Sequence, residues 1–166
     1  IIYGSKLQIS SSNRVLFPDG WKGSTPKGFY KRPLAKTREN IINEGKRLLG
    51  TPYLWGGKSS LGIDCSGLIQ TVFRSLEISL PRDAWEQAEY FLDNKNTLEE
   101  IKIGDLLFFG NNPKISHVAI YSGQTNFLHS QGWVKEESLN KFHSNFNEKL
   151  FNLLQFSVSV EHELIS

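Results

Sequence analysis

The sequence predicts an α+β domain in which helices pack on one face of an antiparallel sheet. Apolar residues in the first half recur at helical spacing, whereas the second half contains short apolar runs, most of them separated by Gly, Asn or Pro. Helices that precede a block of strands favour this class over alternating β and α units. Of the 166 residues, 39% are hydrophobic and 12% are aromatic, which is enough for a packed core.

Two helices are indicated by residues that can cap their N-termini. Thr37 can cap a helix that runs to Leu49, after which a Gly and a Pro end the pattern. Asp83 with Glu86 three residues later forms a start that resembles a capping box. We expect this second helix to end near Leu92.

The clearest helical pattern follows a loop at residues 51–62, which is rich in Gly and Ser. Asp64 is a good N-cap residue, so Cys65 falls in the first turn of the helix. The apolar residues that share one face of this helix are Leu68, Ile69, Val72, Phe73 and Leu76. The sequence therefore places its single Cys at a helix N-terminus.

The part of the chain after residue 96 favours strands. Short apolar runs predict strands at residues 106–109, 117–121, 126–130 and 133–135. Residues 139–146 suit a short helix. A last half-buried strand is indicated by apolar residues that alternate with mostly polar ones: Leu154, Phe156, Val158 and Val160.

The first 33 residues differ in character from the rest, so we divide the chain into residues 1–33 and residues 34–166. The run Pro18-Asp19-Gly20 signals a tight turn, and the segment is too small to bury a core alone. A short stretch around this run resembles the closing hairpin of a bacterial SH3-type domain. An extended arm that lies on the main domain explains the same residues equally well, so both interpretations stay open.

Charge and composition argue against several classes of function. The net charge is +2, and Lys and Arg are scattered rather than clustered, which does not favour binding to nucleic acid. No apolar run approaches the roughly 20 residues of a membrane-spanning helix. A single Cys rules out a disulfide within the chain and a zinc site built on several thiolates.

Cys65 has the surroundings of a nucleophile rather than those of a core cysteine. The N–H groups and the dipole of a helix N-terminus favour a thiolate. A nucleophilic Cys also needs a base, usually a His, close to it in space. His143 and His162 lie in polar segments and are expected on the surface. His117 opens one predicted strand and His129 lies in the next, so these two are the candidates.

Strand geometry tests whether His117 and His129 can act together. If the hairpin closes around a three-residue loop, residues 123–125, the two histidines become diagonal neighbours on one face, and Ala119 lies opposite His129. A loop shifted by one residue would put them on opposite faces. The hypothesis therefore requires an odd loop. It also expects the shared face to look at the helix N-terminus that carries the Cys.

Six segments occur in an order and spacing that carry a resemblance: Thr51-Pro52-Tyr53-Leu54-Trp55-Gly56-Gly57, Asp64-Cys65-Ser66-Gly67-Leu68, Leu80-Pro81-Arg82, Gly104-Asp105-Leu106-Leu107-Phe108-Phe109, Ser116-His117-Val118-Ala119-Ile120-Tyr121 and Phe127-Leu128-His129-Ser130. Over residues 36–140 the chain resembles the NlpC/P60 family of cysteine peptidases. The resemblance implies a papain-like α+β fold and hydrolysis of bacterial cell-wall peptides, typically between γ-D-glutamate and the following diamino acid. After residue 139 the chain lacks the basic closing strand that is usual in the family.

The resemblance also implies roles for individual residues. Cys65 would be the nucleophile, His117 the general base, and His129 the residue that orients His117. The residues expected to bind substrate are Tyr53, Asp64, Ser66, Arg82 and Ser116. Plainer interpretations stay open for three of them: a core tyrosine for Tyr53, a helix cap for Asp64 and an ordinary surface residue for Arg82. No cofactor and no metal are expected.

The leading hypothesis is a monomeric cysteine endopeptidase that acts on peptidoglycan or murein peptide fragments. The cell envelope, periplasmic or secreted, is the favoured location, with a cytoplasmic recycling enzyme as the alternative. Other hypotheses are a related Cys-His amidase or acyltransferase and a non-catalytic wall-binding module, although a complete triad argues against the latter. A metal site is a further alternative, with four candidate ligands: Cys65, His117, His129 and Asp64.

Overall fold

A computed structural model of the chain describes residues 8–9, 14–17, 19–24 and 34–165. In chain order the elements are β1 (Gln8–Ile9), β2 (Arg14–Leu16), β3 (Lys22–Ser24), α1 (Arg38–Arg47), β4 (Lys58–Ser59), β5 (Gly62–Ile63), α2 (Cys65–Arg74), α3 (Ala84–Tyr90), a 3-10 turn (Leu92–Asn94), β6 (Lys95–Asn96), β7 (Leu106–Asn111), β8 (Lys114–Gly123), β9 (Asn126–Gln131), β10 (Trp133–Ser138), α4 (Glu148–Leu153), β11 (Leu154–Val158) and α5 (Glu161–Ile165).

The main sheet contains six antiparallel strands in the order β10-β9-β8-β7-β11-β6. Alternate side chains of its strands enter two separate apolar clusters. Leu106 and Val118 pack with the buried residues of α1, α2 and α3, whereas Leu107 and Ala119 pack on the opposite face with Leu150 of α4. The α+β prediction is confirmed, with one difference: helices cover both faces of the sheet.

The helices begin where the sequence provides a cap. The Thr37 hydroxyl accepts the Asn40 N–H at 3.2 Å, and the Glu86 carboxylate accepts the Asp83 N–H at 3.0 Å. The first helix ends at Arg47, two residues earlier than predicted. Within the described residues, no helix combines the length and the apolar character that crossing a membrane requires.

The predicted helix at residues 139–146 is wrong, and the helix that follows it was not predicted. In this segment the side chains of Ser138 and Asn140 accept backbone N–H groups, so turns replace the helical hydrogen bonds. Asn147 then caps α4 through its side chain, which accepts the Leu150 N–H at 2.9 Å. Polar side chains that compete with the backbone thus delay the helix to residue 148.

The described part of residues 1–33 forms a small antiparallel sheet, in the order β1-β2-β3. Gly20, with φ of 87°, lies in the tight turn between β2 and β3. Pro18 of the predicted turn lies outside the described residues. The interpretation of this segment as an SH3-type remnant or as an arm stays a prediction.

Candidate active site

Cys65 is the first residue of α2, and its position is fixed by the loop that precedes the helix. Asp64 caps the helix: its Oδ1 accepts the Gly67 N–H at 2.7 Å, and its Oδ2 accepts the Gly56 N–H at 2.8 Å. A Cβ atom on Gly67 would lie 2.2 Å from the carbonyl oxygen of Gly57. The glycine after the Cys-Ser pair is therefore required because the loop approaches the helix closely.

Burial and the neighbouring Asp64 carboxylate both raise the pKa of the Cys65 thiol. The backbone N–H groups of Cys65, Ser66 and Val118 favour the thiolate and oppose this shift. The expected contribution of the helix N-terminus is thus present, but the expectation of a favoured thiolate is wrong for the net effect. The resting site holds a neutral thiol. Its contact with Val118 puts the sulfur next to the residue that follows His117.

His117 and His129 are joined by a ring contact, with 2.9 Å between Nε2 of His117 and Nδ1 of His129. The ring planes are nearly perpendicular, at 88°. The two imidazoles also lie against the Phe109 and Phe127 rings, on the face of the sheet that α4 covers. That this face looks at the N-terminus of α2 stays a prediction. The body of α2 packs on the opposite face, and Cys65 meets β8 at Val118.

The β8–β9 hairpin sets the placement of the two histidines. Gly123 pairs with Asn126 around a two-residue turn in which φ is 51° and 67°, so the predicted three-residue loop is wrong. A bulge at Ser122 compensates for the shorter turn, since Tyr121 still pairs with Phe127. Both histidines consequently lie on one face, as the odd loop was expected to achieve. The strand that carries His117 also begins earlier than predicted, at residue 114.

His117, His129 and Glu137 form a row of side chains in contact with one another. The sequence analysis did not identify Glu137 as a member of this row. Its Oε2 lies 2.9 Å from Nε2 of His129 and also accepts a hydrogen bond from Asn147. Its Oε1 lies 2.8 Å from the ammonium group of Lys135. The sequence does contain one indirect signal, Gly132, which indicates a tight turn between β9 and β10. This turn pairs Lys135 with His129, so Glu137, two residues further along β10, becomes a diagonal neighbour of His129.

The three ionisable groups of this row have strongly perturbed pKa values. Burial lowers the pKa of His117 to about 3, and the neighbouring His129 adds to the shift. Burial also lowers the pKa of His129, against the opposing effect of Glu137. Hydrogen bonds from His129, Lys135 and Asn147 outweigh burial and hold the pKa of Glu137 at about 2. At neutral pH the row therefore consists of two neutral imidazoles and one carboxylate.

Three of the predicted substrate-binding residues form a polar cluster beside Cys65. Arg82 makes an ion pair with Asp64 and donates to the Ser66 hydroxyl at 2.8 Å. This pairing makes Arg82 more than an ordinary surface residue, while Asp64 is both a helix cap and an ion-pair partner. Gln87, which is buried on α3, donates to the Ser66 and Pro81 carbonyl groups. These two hydrogen bonds help to hold the backbone of the cluster in position.

The other two predicted residues, Tyr53 and Ser116, lie with His117 around a cavity of about 300 Å³. Burial raises the pKa of Tyr53, and the neighbouring Asp64 carboxylate adds to the shift, so the hydroxyl stays protonated. The remaining walls of the cavity come from β9 and α4: Ser130, Gln131, Gly132, Lys149, Leu150 and Leu153. The cavity and the polar cluster thus involve different sets of residues.

The remaining histidines play no part in this arrangement. His143 is half-buried rather than solvated, because its ring lies within hydrogen-bond distance of Ser138 and Asn140. His162 is exposed on α5. Across the described ranges, no group of three or more His, Cys, Asp or Glu side chains has an arrangement that could hold a metal ion. The structure therefore gives no support to the metal-site alternative.

Comparison with known proteins places this geometry in context. The model of the NlpC/P60 family matches residues 50–153. The chain is 35% identical, over 143 residues, to a gamma-D-glutamyl-L-lysine dipeptidyl-peptidase of Bacillus cereus, and the match covers 78% of this chain and 42% of that relative. A protein of the same name from Bacillus subtilis is 44% identical over 97 residues, which cover 57% of this chain and 32% of the relative. The chain thus spans less than half the length of these two relatives.

Solved structures agree with the sequence comparison. A crystal structure of an NlpC/P60 family protein from Bacillus cereus matches this chain with a TM-score of 0.79 and 29% sequence identity. The match covers 92% of this chain and 52% of the other. The residues that the family model matches include the helix that carries Cys65 and the strands that carry the two histidines.

Proposed function

This chain is a member of the NlpC/P60 family, and we propose that it is a cysteine peptidase that hydrolyses peptidoglycan stem peptides at the bond between γ-D-glutamate and the following diamino acid. The observations that carry the proposal are a thiol at a helix N-terminus, which contacts the backbone of Val118, and two imidazoles joined at 2.9 Å, one of them on the residue before Val118. The names of the two curated relatives support this choice of bond.

The chemistry of the proposed reaction starts from a neutral thiol and a neutral imidazole. Nδ1 of His117 accepts the Cys65 proton as the sulfur attacks the carbonyl carbon of the substrate. We assign the stabilisation of the resulting oxyanion to the backbone N–H of Cys65, at the helix N-terminus. The imidazolium then gives its proton to the leaving amine as the C–N bond breaks. Water, activated by neutral His117, hydrolyses the thioester and regenerates the thiol.

The polar cluster of Asp64, Ser66 and Arg82 and the cavity beside His117 indicate where each part of the substrate binds. The proton donor must lie next to the leaving amine, so we assign the diamino acid to the cavity beside His117. The γ-D-glutamyl part then lies on the side of Ser66 and Arg82. Lys149 lines the cavity and favours a leaving residue that carries a carboxylate.

We further propose that residues 34–166 form the catalytic domain, that residues 1–33 are either an arm or the remnant of an SH3-type domain, and that the enzyme acts as a monomer in the cell envelope. Support for the location comes from the substrate, since peptidoglycan lies there. The catalytic domain is supported by the family match, which begins at residue 50.

Turnover of defined peptides tests the proposed function. We expect the protein to release L-Ala-γ-D-Glu and the free diamino acid from tripeptides that contain L-Lys or diaminopimelate, with products identified by mass spectrometry. Peptides with an amidated C-terminus, together with Lys149→Ala, test the cavity assignment. Cys65→Ala is the inactive control. Binding of the peptides without turnover would overturn the proposal in favour of a wall-binding module, and cleavage at another amide bond would favour a different amidase.

A further inference from the structure

We propose that Glu137 is a positioning residue that fixes the tautomers of both histidines and thereby keeps the Nδ1 lone pair of His117 available to the Cys65 thiol. This inference rests on the proposed function, because it concerns the base of that reaction. The juxtaposition that carries it is a continuous row of contacts, from the Glu137 carboxylate to His129 and from His129 to His117, each 2.9 Å long.

The first contact fixes the proton of His129. The Glu137 carboxylate, with a pKa of about 2, is ionised and can only accept hydrogen bonds. A ring nitrogen at 2.9 Å from it must therefore carry a hydrogen, so Nε2 of His129 is the donor. His129 is neutral, because burial lowers its pKa. Its other nitrogen, Nδ1, consequently holds a lone pair.

The second contact, between His129 and His117, determines which ring nitrogen of His117 carries the hydrogen. Nδ1 of His129, as an acceptor, requires a hydrogen on Nε2 of His117. His117 is also neutral, with a pKa of about 3, so its lone pair is left on Nδ1. If His129 carried its proton on Nδ1, Nε2 of His117 would have to be the acceptor. Nδ1 of His117 would then carry the hydrogen and could not accept the thiol proton.

Glu137 is held so that it serves as a fixed acceptor. Lys135 binds one of its oxygens at 2.8 Å, and Asn147 donates to the oxygen that faces His129. These partners come from β10 and from the cap of α4, so the carboxylate is positioned from two directions. The side chain is 19% exposed. An exposed, unconstrained carboxylate could rotate away from the ring, whereas this one has a partner on each oxygen.

Two substitutions separate the orienting role of Glu137 from its charge. Glu137→Gln keeps an oxygen that can accept the hydrogen of His129, whereas Glu137→Leu removes every acceptor. Glu136→Gln is the matched control, because this neighbour on β10 accepts a hydrogen bond from the Ser122 hydroxyl at 2.6 Å. Among the hydrogen bonds and ion pairs of the described residues, none joins Glu136 to either histidine ring. Thermal unfolding of each variant establishes that it is folded before kinetics are compared.

We expect Glu137→Leu to lower kcat by about tenfold or more with KM within about twofold. The magnitude is taken from metal sites, where loss of the partner that orients a histidine ligand typically costs about 10- to 100-fold. Glu137→Gln should recover much of that loss, and Glu136→Gln should match the wild type. A wild-type kcat for Glu137→Leu would overturn the proposal. A rise in KM alone would do the same, because it would indicate a role in substrate binding.

The imidazole tautomers provide a readout that does not depend on activity. In nitrogen-15 NMR spectra of the wild type and of Glu137→Gln, we expect protonated Nε2 and unprotonated Nδ1 on both histidines, and in Glu137→Leu a mixture of tautomers. Unchanged tautomers in a folded Glu137→Leu would overturn the inference. If the wild type cleaves no stem peptide, the proposed function fails, yet the spectra still decide whether Glu137 sets the tautomers.

Discussion

At the scale of single residues, the chemistry depends on a thiol that is neutral at rest. Because burial and Asp64 raise the pKa of Cys65, the rate of its alkylation by iodoacetamide should climb steadily with pH up to and beyond 9.0, its ordinary value. Cys65 is the single Cys in the chain, so the measured rate belongs to one group. Fast alkylation at a rate that does not change between pH 5 and pH 8 would show a preformed thiolate instead.

The two histidines should differ in how they tolerate substitution. His117→Ala removes the base, so we expect it to lower kcat/KM nearly as far as Cys65→Ala, because members of such a unit act together. His129→Gln should keep part of the activity. A glutamine can accept the hydrogen of His117 through its oxygen and donate to Glu137 through its nitrogen. Steady-state kinetics decide this, and equal losses in the two variants would mean that the roles are assigned wrongly.

At the scale of elements, the β8–β9 hairpin that aligns the histidines contains turn residues in an unfavourable backbone conformation. Gln124 has φ of 51°, in the left-handed region, where a residue with a side chain is disfavoured. We expect Gln124→Gly to raise the free energy of unfolding by about 0.5–1 kcal/mol without a change in kcat, because glycine adopts this conformation freely. Urea unfolding tests the prediction. A loss of stability would show that the turn is not strained at this position.

Predictability also varied from element to element. Asp64 and the apolar stripe behind it located the helix of Cys65, because capping and periodicity are local signals. Strand alternation predicted that His117 and His129 lie on one face. It could not predict the bulge at Ser122, because a three-residue turn and a two-residue turn with one bulged residue place the two histidines on the same face. The residues next to Glu137 in sequence do not mark it as part of the site, because its role depends on the pairing of β9 with β10, for which Gly132 is the indirect signal.

At the scale of the whole molecule, Asp105 connects elements that are distant in sequence. Its buried carboxylate accepts hydrogen bonds from the Arg38 guanidinium at 2.6 Å, the Asn96 amide at 3.0 Å and the Val160 N–H at 3.2 Å. These donors come from α1, β6 and the residue before α5. The Asp105 side chain thus joins the first helix of the main domain to its last strand and helix.

Removing this carboxylate should destabilise the fold more than any change at its exposed neighbours. We expect Asp105→Ala to lower the free energy of unfolding by about 3–5 kcal/mol, because the substitution leaves Arg38 and buried N–H groups without their partner. Glu161→Gln, which alters the exposed partner of the same Arg38, is the control and should have little effect. Similar losses in both variants, measured by urea unfolding, would refute the central position of Asp105.

The central claim is that Cys65 forms a thioester with the acyl part of a γ-D-glutamyl peptide. Its most direct test is to quench the enzyme with acid during turnover of L-Ala-γ-D-Glu-L-Lys, digest it, and locate the added mass. We predict an L-Ala-γ-D-Glu acyl group on Cys65 in the wild type and neither adduct nor product release in Cys65→Ala. An acyl group on another residue, or turnover by Cys65→Ala at the wild-type rate, would contradict the claim.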